Sequence, residues 1–145
     1  MKQHWSVTQV WLKRTDFMNT NHKGNIALGR AIAYFTEQMY TVSLPLNDSQ
    51  WYDLIVERDG KFYTVQVKYT SETKITKKGV SYMCSLQTTS GTTRKSLYSV
   101  VDTKVDFIFC CCSNFDMYLI PMDKITNKTY IHLGNHLPTS EYLIS

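Results

Sequence analysis

Residues 51–68, WYDLIVERDGKFYTVQVK, read as a single β-hairpin. Two alternating runs, YDLIV and FYTVQVK, flank Asp59-Gly60, a dipeptide suited to a tight two-residue turn. With those two residues as the loop, Arg58 faces Lys61 and Asp53 falls opposite Gln66. Side chains alternate along a strand, so Asp53, Gln66 and Lys68 share one face, while Leu54, Val56, Val65 and Val67 take the other. A carboxylate, an amide and an ammonium on one sheet face have no obvious use in a core. They suit a site that handles a phosphodiester.

Outward from the hairpin, residues 22–39 carry Leu28, Ile32, Phe35 and Met39 at spacings of three and four, the pattern of an amphipathic helix beginning at Asn21 or His22. TVSLPL, at 41–46, predicts a first strand. Residues 70–79 read as a polar loop bearing Lys74, Lys77 and Lys78, followed by a strand over 80–88 and a short helix over 92–101. Strands are expected at 105–112 and 117–121, parted by a turn at Ser113-Asn114, with a further one near 130–133 and a frayed tail. Residues 1–21 read least clearly; Val7, Val10, Trp11 and Phe17 fit an appended strand or a short helix. This order predicts an α/β domain with a central mixed β-sheet flanked by helices. It divides into an N-terminal extension (1–21), a core (22–122) and a C-terminal extension (123–145).

At 145 residues the chain suffices for one domain with a single substantial core. A net charge of +4 and a pI near 8.8 bias it mildly toward polyanions. No apolar run approaches the ~18 residues a bilayer-spanning helix needs, and the start lacks a signal-peptide pattern, so no membrane and a cytoplasmic address are expected. Cys84 and the run Cys110-Cys111-Cys112 fit neither a disulfide framework nor zinc-site spacing, and read as small strand residues in a reducing compartment. His132 and His136 lack a helix or a third ligand, so no metal site is expected there.

KGNIALGRAIAYFTEQMYTVSLPL (23–46), the hairpin, DFIF (106–109) and YLIP (118–121) together resemble the PD-(D/E)xK nuclease superfamily. The resemblance covers roughly residues 22–122 and is nearest to homing endonucleases encoded in bacterial group I introns, with a more distant likeness to archaeal Holliday-junction resolvases. Its most specific piece is an Asp followed, across a hairpin, by Gln-x-Lys. The general superfamily places an acid where Gln66 stands; the intron-encoded branch has Gln.

The resemblance implies a restriction-endonuclease-like fold and Mg²⁺-dependent, site-specific cleavage of double-stranded DNA by a homodimer or homotetramer. It implies that Asp53 binds the metal, that the Gln66 amide and the Val67 carbonyl are further ligands, and that Lys68 helps activate water and stabilises charge on the phosphate. Lys74, Lys77 and Lys78 follow the strand bearing Lys68, and with Arg94 and Lys95 are candidate DNA phosphate contacts. One position departs from the family. Its first helix carries a Glu five residues after the Lys of the Lys-Gly pair; here that position is Leu28. Glu37, nine residues further, falls about half a turn away at roughly 100° per residue and is no substitute. Leu28 also continues the Ile32 and Phe35 stripe, so packing alone accounts for it. A catalytically weakened or inactive DNA-binding protein of this fold and a junction resolvase are the alternatives. So is an interaction domain with no affinity for DNA.

Overall fold

The computed structural model describes residues 19–47, 49–89 and 97–145. Helix α1 (Thr20–Glu37) starts where the Asn19 side-chain oxygen accepts from the His22 amide at 2.9 Å, satisfying one donor the first turn leaves free. Ala27, Ala31 and Phe35 form its buried centre line, with Leu28 and Ile32 half-buried beside them. The expected stripe is therefore rotated, with small alanines facing the sheet. Met39 leaves the stripe altogether, lying past the helix end at φ 64° and exposed. The amides of Met39 and Tyr40 turn back to the carbonyls of Thr36 and Phe35, closing the C-terminus in the usual paired arrangement.

The strands are β1 (Thr41–Ser43), β2 (Leu54–Arg58), β3 (Lys61–Thr70), β4 (Thr73–Thr76), β5 (Gly79–Ser85), β6 (Gln87–Thr89), β7 (Leu97–Ser99), β8 (Phe107–Cys112), β9 (Met117–Pro121) and β10 (Tyr130–Leu133). Five of them form a central sheet in the order β1-β2-β3-β8-β9. Its β3–β8 pair is parallel and the other pairs are antiparallel, so the sheet is mixed as expected. The parallel register is pinned at its start, where the Asp106 carboxylate accepts from the Thr64 amide and hydroxyl at 2.8 and 3.0 Å.

Helix α1 covers one face, over Leu54, Val56, Val65, Phe109 and Cys111. A three-stranded sheet, β10-β5-β4, helps cover the other, bringing Cys84, Ile131 and Leu133 against Ile108, Cys110, Tyr118 and Ile120. Among the described residues α1 is the one α-helix. The cysteine run obeys strand alternation, with Cys110 and Cys112 in one core and Cys111 in the other. All four thiols are free and buried, and burial pushes Cys112 up to about 12.

Three expectations give way. The polar loop at 70–79 is largely strand β4, joined to β5 by a tight turn at Lys77-Lys78. Where a helix was expected over 92–101, the described part holds strand β7 and the start of a 3-10 turn, Val100–Asp102; residues 92–96 lie outside the description. The tail is not frayed: Ile144 donates to the Met117 carbonyl at 2.9 Å and Leu143 bridges Tyr118, so it runs along the β9 edge. The readings of Val7, Val10, Trp11 and Phe17 fall outside the described residues. No helix among the described residues is long and apolar enough to cross a membrane.

Phe109 is fully buried and Phe62 is 70% exposed. In urea denaturation, Phe109→Ala should cost about 3–5 kcal/mol and Phe62→Ala no more than about 0.5.

Candidate active site

The turn between β2 and β3 holds both Asp59 (φ 54°) and Gly60 (φ 76°) in left-handed backbone, the two-residue geometry that matches strand twist. The Gly60 amide donates to the Glu57 carboxylate at 2.7 Å, tying the turn to its strand. Leu54 consequently pairs with Val65 and Arg58 with Lys61, the register expected from the sequence. Asp53 lies one residue before β2, its amide donating to the Val65 carbonyl at 2.9 Å. Its carboxylate then meets two donors: Gln66 Nε2 at 2.8 Å and the Val67 amide at 2.7 Å, both on Oδ2. An ionised carboxylate only accepts, so the nitrogen of the Gln66 amide must be the atom turned toward it. Val67 presents its backbone groups to the same edge as Val65, beyond the start of β2, which puts its carbonyl on the Asp53 side of the sheet.

Burial pushes the Asp53 carboxyl above its ordinary value, while the Val67 amide and the Lys68 ammonium act in the opposite direction. Desolvation is the largest of the three. Lys68 is half-buried and shares a strand face with Gln66. Near the end of β3, the Thr70 hydroxyl donates to the Met83 carbonyl at 2.6 Å, fastening this strand to β5. Asp53 and Val67 open into a cleft of about 510 Å³ walled by Thr20, Asn21, Gly24, Asn25 and Leu28, from the N-terminal half of α1. A second cleft of about 430 Å³ contains Lys68, Lys23 and Glu72, and shares Thr20, Gly24 and Val67 with the first. The two clefts therefore adjoin around Val67.

The hairpin thus brings Asp53, Gln66 and Val67 into contact, with Lys68 close enough to bias the carboxylate. Leu28 forms part of the Asp53 cleft, and Glu37 sits at the far end of α1. Lys74 lies on β4, and Lys77 and Lys78 in the turn beyond it, all exposed. Arg94 and Lys95 fall outside the described residues. From the sequence, Asn21 was named only as a start of the helix, and Thr20 and Asn25 were not singled out. Helical spacing back from Leu28 was the available signal, since Gly24 and Asn21 precede it by four and seven residues.

The donor set suits a hard cation. Asp53 offers a desolvated oxygen donor whose Oδ1 accepts no hydrogen bond among the described residues, beside a backbone carbonyl. One carboxylate with carbonyl oxygens and retained waters is a usual environment for Mg²⁺. Among the described residues no group of three or more His, Cys, Asp or Glu side chains forms a multidentate alternative.

Because its pKa is raised in the fold, Asp53 favours the protonated form there. Its contribution to stability is present below the ordinary value of 3.8 and is lost as pH rises through the folded value. Asp53→Asn retains an oxygen for both donors and removes the buried charge. Without added metal the variant should melt higher than wild type at pH 7, with the margin disappearing below pH 3.8; thermal melts across that range provide the check.

The model of the family described as PD-(D/E)XK endonuclease matches residues 18–140, more than the 22–122 core and including most of the C-terminal extension. Among solved structures, the bacterial homing endonuclease I-Ssp6803I superposes with a TM-score of 0.67 at 24% identity, over 88% of this chain and 88% of that one. At that identity the likeness is one of fold. No curated protein matches the chain. The match over most of the sequence, together with a mixed sheet that carries Asp53 and Gln66-x-Lys68 on one hairpin, establishes that this chain belongs to the PD-(D/E)XK endonuclease family.

Proposed function

We propose that this protein is a Mg²⁺-dependent endonuclease that hydrolyses phosphodiester bonds in double-stranded DNA at specific sites, in the manner of homing endonucleases. The observation that carries this reading is the Asp53 carboxylate, held on one oxygen by Gln66 and the Val67 amide and desolvated at the mouth of a cleft. Asp53, the Val67 carbonyl and the oxygen of the Gln66 amide would hold the cation. When bound, it supplies Lewis-acid polarisation of a phosphate oxygen and a lowered pKa for the attacking water.

The protein's own groups divide the remaining tasks. Gln66 and the Val67 amide fix the orientation of the carboxylate, so no reorganisation is needed when phosphate enters. Lys68 directs a positive charge and N–H donors to the phosphate, where negative charge grows in the transition state. Lys74, Lys77 and Lys78, with Arg94 and Lys95, neutralise backbone phosphates and make binding sensitive to salt. A dimer or tetramer would supply one such site per strand.

Leu28 favours a second reading, a DNA-binding protein of this fold whose cleavage is weak or lost. With Asp53 as the one carboxylate lining its cleft among the described residues, metal affinity before phosphate arrives is low. The two readings separate in a single assay. With linear DNA and Mg²⁺, the endonuclease reading expects cutting that falls at least about 100-fold, or about 2.7 kcal/mol of barrier, in Asp53→Asn and in Lys68→Ala. Undiminished cutting by both variants would discard the site. Salt-dependent binding with no nicking in Mg²⁺ or Mn²⁺ would instead support the weakened protein. Leu28→Glu should restore a second carboxylate, raising the cutting rate and lowering the Mg²⁺ concentration needed for half-maximal activity.

A further inference from the structure

Strand β3 outruns its antiparallel partner. β2 pairs with it only from Arg58–Lys61 to Leu54–Val65, and the Asp53 carboxylate then takes the Val67 amide. On the other side β8 stays paired as far as Thr70. The Thr64 and Thr70 carbonyls accept from the Asp106 and Ser113 amides, so even-numbered residues of β3 bond toward β8 and odd-numbered ones face the β2 side. The Val67 carbonyl and the Tyr69 amide therefore lie on a length of edge that no strand among the described residues pairs.

That open edge is the floor of the cleft of about 430 Å³. One wall is the first turn of α1, bearing Lys23, and the other is the end of β5, with Met83 and Ser85. Helix and strand cover opposite faces of the central sheet. Lys68 shares the parity of Gln66, whereas Val65 and Val67 pack beneath the helix. Lys23 and Lys68 thus reach one cleft from opposite faces of the sheet, over the unpaired edge.

Both lysines are half-buried, and among the described residues neither forms an ion pair. The one acid of the lining, Glu72, is exposed and lies four residues past Lys68, up to about 13 Å further along the chain. Asp53 sits across Val67 in the adjoining cleft, where the proposed cation offsets it. Two ammoniums that repel each other across a backbone amide make a receptor for an anion.

We propose that this cleft holds the phosphate next to the scissile one on the cleaved strand, with Lys23 and the Tyr69 amide as its donors. The assignment rests on the endonuclease reading above. Lys23 lines the cleft of Lys68 and not that of Asp53, so it serves the neighbouring phosphate while Lys68 serves the scissile one. Such a contact carries no base information; it fixes the register of the strand, so that the reacting phosphorus stays between Asp53 and Lys68. Lys23 is a positioning residue and takes no part in the bond change.

The experiment titrates protein free of divalent metal with thymidine 3′,5′-bisphosphate and with thymidine 5′-monophosphate in a calorimeter. It compares wild type, Lys23→Gln, Lys23→Arg and Lys74→Gln/Lys77→Gln/Lys78→Gln, with circular dichroism melts confirming that each is folded. Wild type should bind the bisphosphate at least about 10-fold more tightly than the monophosphate, as a second charge-assisted site requires. Lys23→Gln should reduce that ratio to below about 3 with little change for the monophosphate, and Lys23→Arg should restore it. The triple glutamine variant should keep the wild-type ratio. An unchanged ratio in Lys23→Gln, or none in wild type, overturns the proposal and leaves the endonuclease reading, which the cutting assay tests separately, intact. A ratio lost in the triple variant also overturns it, assigning the second phosphate to the β4–β5 hairpin.

Discussion

Two residues in left-handed backbone, Asp59 and Gly60, determine what every other part of the site can be. A two-residue turn leaves no slack in pairing, and a slip of one residue would send each side chain of β3 to the opposite face. Gln66 would then enter the core beneath α1, and Val67 would face Asp53 with hydrocarbon. In the register the turn enforces, Val65 goes under the helix while Gln66 reaches the Asp53 carboxylate at 2.8 Å. The same register brings the Val67 amide to that carboxylate at 2.7 Å, past the point where β2 stops pairing. A backbone donor that would otherwise continue the ladder is thereby released to hold a functional group.

Holding the carboxylate there works against the folding preference of the ion. Desolvation outweighs the Val67 hydrogen bond and the charge of Lys68, leaving Asp53 easier to protonate than in water. Hydrogen bonds to an ionised acceptor are stronger than neutral ones, and two of them on one oxygen fix its direction. The result is a rigid anion that is short of counter-charge, on a cleft at the N-terminal end of α1. The surrounding architecture maintains this. The apolar side chains of β3 pack into the core beneath α1, and Asp106 and Thr70 secure the strand near either end, to β8 and to β5.

The hairpin was legible because its determinants are local: a turn dipeptide and two alternating runs fix the pairing without reference to the rest of the chain. Strands β9 and β10 were legible for the same reason, as short apolar runs bounded by turn residues. Strand β4 was not. Thr73, Lys74, Ile75 and Thr76 are all exposed, so no buried face imprints a pattern on them, and they are strand only because β5 pairs with them. The buried line of the helix lies one step from the larger Leu28 and Ile32, because the closest packing against the sheet uses the small Ala27 and Ala31, which leave no mark in a pattern of hydrophobic size. The course of the last residues depends on a distant edge, the Met117 and Tyr118 backbone, which no local pattern can announce. Within the site, Asp53, Gln66 and Lys68 followed from strand parity. The α1 wall of the cleft required knowing how the helix lies across the sheet.

Leu28 stands where the helix core and the candidate site meet. It borders both the helix core and the cleft, packing against one while lining the other. A glutamate there could rest its aliphatic stem on the same hydrocarbon and present its carboxylate to the opening, so the fold does not require leucine for its stability. Neither does it require an ionised Asp53, since an asparagine could accept the same two bonds without the cost of burying a charge. Among the described residues the cleft holds one carboxylate, Asp53, and it is desolvated there. On the proposed reading, a positive ligand approaching from the cleft would supply the counter-charge that Lys68 supplies only in part.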